Sequence, residues 1–157
     1  MAAFDYRQAE EIRDTFARNG VRYLFIGKSG AILLGFPDTT QDADVFVAKS
    51  SVNGPAIVSA LKELGFQLNA RQESDILIGK DFIQFKNGPF DLDFVFAPDG
   101  IERFEDAWRN HVDIEGFPVC HIDDIIRSKE ATGRAKDKES LPRLRSFREY
   151  WIRNLNK

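Results

Sequence analysis

The chain reads as a mixed α/β (α+β) domain, a sheet flanked by helices. Three observations predict it. Short apolar strands alternate with helical patterns along the chain. Glycines and prolines punctuate nearly every change of period. At 157 residues, with 43% hydrophobic content and 14 Phe, the chain suits one compact domain with a real core.

The elements follow in order. Residues 4–19 predict a helix, because Tyr6, Ala9, Ile12 and Phe16 recur at three- and four-residue steps before Gly20. Residues 21–26 predict a strand, broken by the turn at 27–30, and 31–34 a short helix closed by Gly35 and Pro37. Ala43–Val47 predicts a strand. Asn53–Leu64 predicts a helix, opened by Asn-Gly-Pro and stopped by Gly65. Three strands are expected at 75–78, Phe82–Phe85 and 90–96, with hairpins about Gly79 and Asn87-Gly88. A helix is expected over 101–109, then a small hairpin of Val112–Ile114 and 118–121 about Glu115-Gly116. Two helices close the chain, at 123–132 behind Asp123 as cap, and at 140–154. They form a C-terminal segment of about 123–155 packed on the rest. No repeat or linker divides residues 1–157.

No apolar run approaches the length of a bilayer span, and the N-terminus holds no apolar signal core. The lone Cys120 rules out an internal disulfide framework. These features predict a cytoplasmic protein without membrane partners. Net charge is −3 but unevenly spread. Residues 127–157 hold ten Lys or Arg against four Asp or Glu, leaving −9 on residues 1–126. A basic end of this kind either attracts phosphates or forms a solvated helical face.

Two Asp pairs carry the chemistry: Asp42-Ala-Asp44 in TTQDADVFV and Asp91-Leu-Asp93 in PFDLDFVF. Strand residues two apart share a face, and Asp is disfavoured in strands. Clustered carboxylates repel one another unless a divalent cation sits among them. Mg²⁺, or Mn²⁺, takes such hard oxygen ligands and bridges them to phosphates. The simpler alternative is a polar stripe facing solvent. Upstream, Gly27-Lys28-Ser29 follows a strand and opens a helix. Such a turn either cradles phosphate on backbone amides or merely connects the two elements. It is not a P-loop, since the upstream Gly position holds Arg22. His111, His121 and Cys120 lack metal-ligand spacing and read as structural.

In combination, YLFIGKSGAILLGFPDTTQDADVFV, FDLDFVFAPDG, GIERFEDAW and HIDDIIRSKEATGRAKD resemble the nucleotidyltransferase superfamily. The nearer likeness is to small bacterial stand-alone members close to the AbiEii toxin-like group. It covers roughly residues 20–137. The resemblance implies a nucleotidyltransferase-like mixed sheet and an enzyme moving a nucleoside monophosphate from an NTP to a hydroxyl. The acceptor would be an RNA end such as a tRNA, a protein, or a small molecule. It implies Asp42, Asp44 and Asp93 as catalytic metal ligands, with Asp91 as an adjunct. Gly27, Lys28, Ser29, Thr40, Lys129, Lys136 and Asp137 match nucleotide-binding positions. Two positions depart from the pattern: Lys28 replaces the second Gly of the turn, and Asp38 and Thr39 stand where a basic residue is usual. The resemblance leaves room for a non-catalytic binding module, or a toxin–antitoxin component with a partner protein from a neighbouring gene.

Overall fold

The computed structural model describes residues 4–155; the side chains of Lys136 and Asp137 lie outside the described residues. The order is α1 (Tyr6–Asn19), β1 (Tyr23–Phe25), α2 (Gly27–Leu34), β2 (Ala43–Val47), α3 (Asn53–Leu64), α4 (Ala70–Ile78), β3 (Phe82–Phe85), β4 (Leu92–Val95), α5 (Phe104–Asn110), β5 (Val112–Ile114), β6 (Phe117–Val119), α6 (Ile122–Thr132) and α7 (Ala135–Asn154). The strands form one mixed sheet in the order β3-β4-β2-β1-β6-β5. β2 runs parallel to β4 and antiparallel to β1, and β1 runs parallel to β6. The predicted α+β class is the observed one.

Alternation along the strands assigns the two faces. Tyr23, Val45 and Phe94 face α1, whose Phe16 ring lies 4.8 Å from Tyr23 and 6.2 Å from Phe94. α3 packs beside α1 on this side. Phe46 points to the opposite face and meets Phe104 of α5 at 5.1 Å. Asp44, two residues before Phe46, shares that second face. α2 stands at this end of the sheet, with α6 against it and α7 against α6.

Local chemistry sets the ends. Asp5 caps α1 by accepting from the Gln8 amide, and Gly20 closes it in the left-handed region. Asn53 opens α3 as an internal clamp. Its buried amide group accepts from the Arg22 amide at 2.8 Å and donates to the Arg22 and Ala48 carbonyls at 3.1 and 2.7 Å.

Four expectations are corrected. The segment 75–78 is not a strand but the end of α4. Asn69 and Gln72 form a reciprocal capping box there, and Gly79 is the C-cap rather than a hairpin turn. The apolar pair Ile76-Leu77 looked strand-like in isolation, but Ile76 alone is buried on the inner helical face. The turn at 27–30 belongs to α2, which begins at Gly27. His121, not Asp123, caps α6: its Nδ1 accepts from the Asp123 amide at 3.0 Å. Finally, α7 begins at Ala135 rather than near Ser140, so Pro142 lies inside it. A helix tolerates one interior proline at the loss of one backbone bond when packing holds it; Leu141 and Leu144 are buried on either side.

Candidate active site at one end of the sheet

The site forms where β2 and β4 begin and β1 ends. In the parallel β2–β4 ladder, Asp44 lies directly opposite Asp93. Their flanking partners, Ala43 with Leu92 and Val45 with Phe94, are buried in the core face. Both carboxylates therefore share the other face. Asp42 stands one residue before β2. Asp91 stands one before β4, where its carbonyl accepts from the Ala43 amide at 3.1 Å. The structure thus brings Asp42, Asp44, Asp91 and Asp93 to one sheet end.

The electrostatics are strained. Burial, then the charges of Asp93 and Asp42, push the Asp44 carboxyl well above the usual carboxylate range. Asp93 is raised too, by burial and then by Asp42. Their direct interaction raises Asp44 and lowers Asp93, which favours the proton on Asp44 and the charge on Asp93. A proton thus does part of the work of a cation between them. Oδ1 of Asp42, of Asp91 and of Asp93 are buried with no hydrogen-bond partner. Orphaned buried acceptors, all oxygen, fit a hard divalent cation. Among the described residues no group of three or more His, Cys, Asp or Glu side chains is arranged to hold a metal ion.

Gly27 abuts this cluster. A Cβ there would lie 2.7 Å from Asp44 Oδ2, and the backbone φ is +63°. Glycine is needed for both reasons. Ser29 is wholly buried, and its hydroxyl accepts from the Asp44 amide at 2.9 Å while donating to the Ile26 carbonyl at 3.1 Å. Its side chain fixes Asp44 rather than reaching outward for phosphate. The N-cap of α2, Ile26, supplies no side-chain hydrogen bond to the helix start.

Lys28 and Asp38, singled out separately in the sequence, meet. Lys28 Nζ lies 3.4 Å from Asp38 Oδ2, and Arg143 Nη1 lies 3.3 Å from the same oxygen. Lys129 of α6 acts on Asp44 as a favourable charge, opposing its upward shift. Thr40 holds Phe4 through its backbone carbonyl, at 2.9 Å. Lys136 and Asp137 have side chains outside the described residues. Of the basic C-terminal residues, Arg127, Arg143, Arg145 and Arg148 pair with Asp124, Asp38, Glu130 and Asp123. This supports the solvated-face reading of that segment over a bare phosphate-binding surface.

Sequence reading missed Gln84 and Lys86. Lys86 and then Gln84, which sits opposite Asp93 on β3, both act to lower the Asp93 pKa. Only the strand register singles them out. The histidines are structural, as expected: His111 stacks on Trp108 and His121 caps α6. A cavity of about 610 Å³ between the end of α2 and α7, lined by Phe36, Phe147 and Tyr150 among others, includes none of the expected site residues.

Fold and site together define a mixed α+β protein with a carboxylate cluster at the strand ends. Neither the models of known protein families nor the curated proteins contain a match to this chain.

Proposed function

We propose that the chain is a divalent-metal-dependent nucleotidyltransferase. The observation that carries this reading is the register placing Asp44 opposite Asp93, with the α carbon of Gly27 against Asp44. Asp42 and Asp44 would hold the ions together with Asp93; the unpartnered, buried Oδ1 atoms of Asp42 and Asp93 are suited to that task. When bound there, Mg²⁺ or Mn²⁺ supplies charge neutralisation on the phosphates and a more acidic acceptor hydroxyl. The chain's own groups do the rest. Gly27 leaves room beside Asp44, and Ser29 fixes the Asp44 backbone. Asp93 would receive the acceptor proton. Lys129 and Lys28 provide positive charge for the phosphates of the NTP. The acceptor oxygen bonds to the α-phosphorus, the bond from that phosphorus to the β-phosphate oxygen breaks, and pyrophosphate leaves. The burial of Asp93, with Asp42 and Asp44 half-buried beside it, supports this arrangement, since charges exert more force where water is excluded.

The test is transfer of label from each α-labelled NTP, in Mg²⁺ or Mn²⁺, to total RNA and to lysate protein. The wild type should yield a labelled product. Asp42→Ala or Asp44→Ala should slow transfer about a thousandfold or more, from roughly 4 kcal/mol of lost transition-state stabilisation. A wild type that labels nothing under any of these conditions leaves the binding-module reading in its place.

A further inference from the structure

We infer that Asp38 is a latch on Lys28: its carboxylate holds the Lys28 ammonium until a polyphosphate takes it over, so Asp38 sets the affinity for the nucleotide. The inference rests on the proposed nucleotide site and deepens it. Lys28 is the second residue of α2, one peptide from the glycine whose α carbon lies against Asp44. Consecutive α carbons are about 3.8 Å apart, and a lysine stem spans about as much again and more. Phosphates bound over the helix start beside Asp44 therefore fall within reach of this ammonium. In the structure it points elsewhere, to Asp38 Oδ2 at 3.4 Å, in a pair only about one-fifth exposed.

Asp38 is built to keep its charge. Its Oδ1 accepts from the Thr39 amide at 2.7 Å, and that bond, with Lys28 and Arg143, holds the carboxyl below its usual range. Arg143 is anchored independently, donating to the Pro37 carbonyl at 2.9 Å and lying over the Phe36 ring. Asp38 therefore has a second cation that remains when Lys28 leaves. The buried, unpartnered oxygens of Asp42 and Asp93 give the site its independent mark of a missing cationic ligand. A metal–polyphosphate bound there supplies that charge and presents its own anions to Lys28. The exchange is a competition between one carboxylate and a more highly charged phosphate chain.

Asp38→Asn tests it. The substitution keeps the Oδ1 acceptor for Thr39 and removes the charge that holds both Lys28 and Arg143, while Arg143 keeps its Pro37 carbonyl and Phe36 ring. Calorimetry with each Mg²⁺–NTP should show the tightest binder strengthened about fivefold, the scale of a partly exposed ion pair. Lys28→Ala should weaken the same nucleotide about tenfold. In the Lys28→Ala background, Asp38→Asn should then change nothing, since the latched group is gone. A thermal melt of each variant reports folding separately. If the wild type binds nucleotide and Asp38→Asn leaves affinity unchanged or weaker, Asp38 is a structural staple and the latch is wrong while the nucleotide site stands. If neither the wild type nor Asp38→Asn binds any Mg²⁺–NTP, both the latch and the nucleotide site fall.

Discussion

Ser29 shows how a residue's type and its job part company. A Ser after a Gly turn invites a phosphate, but here the hydroxyl is spent on the Asp44 amide and the Ile26 carbonyl. Ser29→Ala should therefore cost about 1–2 kcal/mol of stability, from one buried acceptor and one donor lost. Urea unfolding would measure it. Nucleotide affinity should fall only as far as Asp44 shifts. Unchanged stability with a large loss of affinity would mean that the hydroxyl binds phosphate after all. Gly27 has a different kind of necessity: φ and space both exclude a side chain, since a Cβ would press on Asp44.

Among the elements, the join of β1, β2 and α3 depends on one amide. Asn53 is 2% exposed and satisfies three backbone groups from Arg22 and Ala48. Asn53→Ala leaves the Arg22 amide and the Ala48 carbonyl without this partner, while the Arg22 carbonyl keeps the Ala48 amide at 3.2 Å, so we expect a loss of about 2 kcal/mol. The midpoint of chemical unfolding should move accordingly, while Asn53→Asp should recover the bond to the Arg22 amide and lose the two donations. A loss below about 0.5 kcal/mol for Asn53→Ala would show that water replaces the clamp. The misread segment 75–78 makes the complementary point. Its type was decided upstream, by the Asn69–Gln72 capping box, not by the apolar residues themselves.

For the whole molecule, the carboxylate cluster ties stability to pH. Asp44 is pushed up to about 8 from an ordinary value of 3.8. A carboxyl raised on folding holds its proton more tightly in the native state. It stabilises the fold below the ordinary value, and that contribution is lost as pH rises through the raised one. The metal-free protein should therefore melt at least about 2 °C lower at pH 8.5 than at pH 5. Added Mg²⁺ should flatten this fall, because it binds the ionised carboxylates that appear as pH rises. A metal-free melting point that climbs steadily across the range contradicts the raised values. No described helix is long and apolar enough to cross a membrane.

Periodicity and glycine placement determined the α+β class, α1, α3, β2 and β3, because local spacing decides which face of an element is apolar. The sequence also singled out the pairs Asp42/Asp44 and Asp91/Asp93, since Asp on an apolar strand is itself a signal, while the choice of Asp93 over Asp91 came from the resemblance. Other features were out of its reach because each needs a partner distant in the chain. That Asp44 and Asp93 would come together on adjacent strands was expected, but the register that sets them directly opposite came only from the sheet. Gln84 acquires meaning only from its register with Asp93. Lys28 and Asp38 looked like two separate departures, and the return of the chain after α2 made them one ion pair. Spacing fixes which residues share a face; tertiary packing alone decides which faces meet, and so which charges must be balanced together.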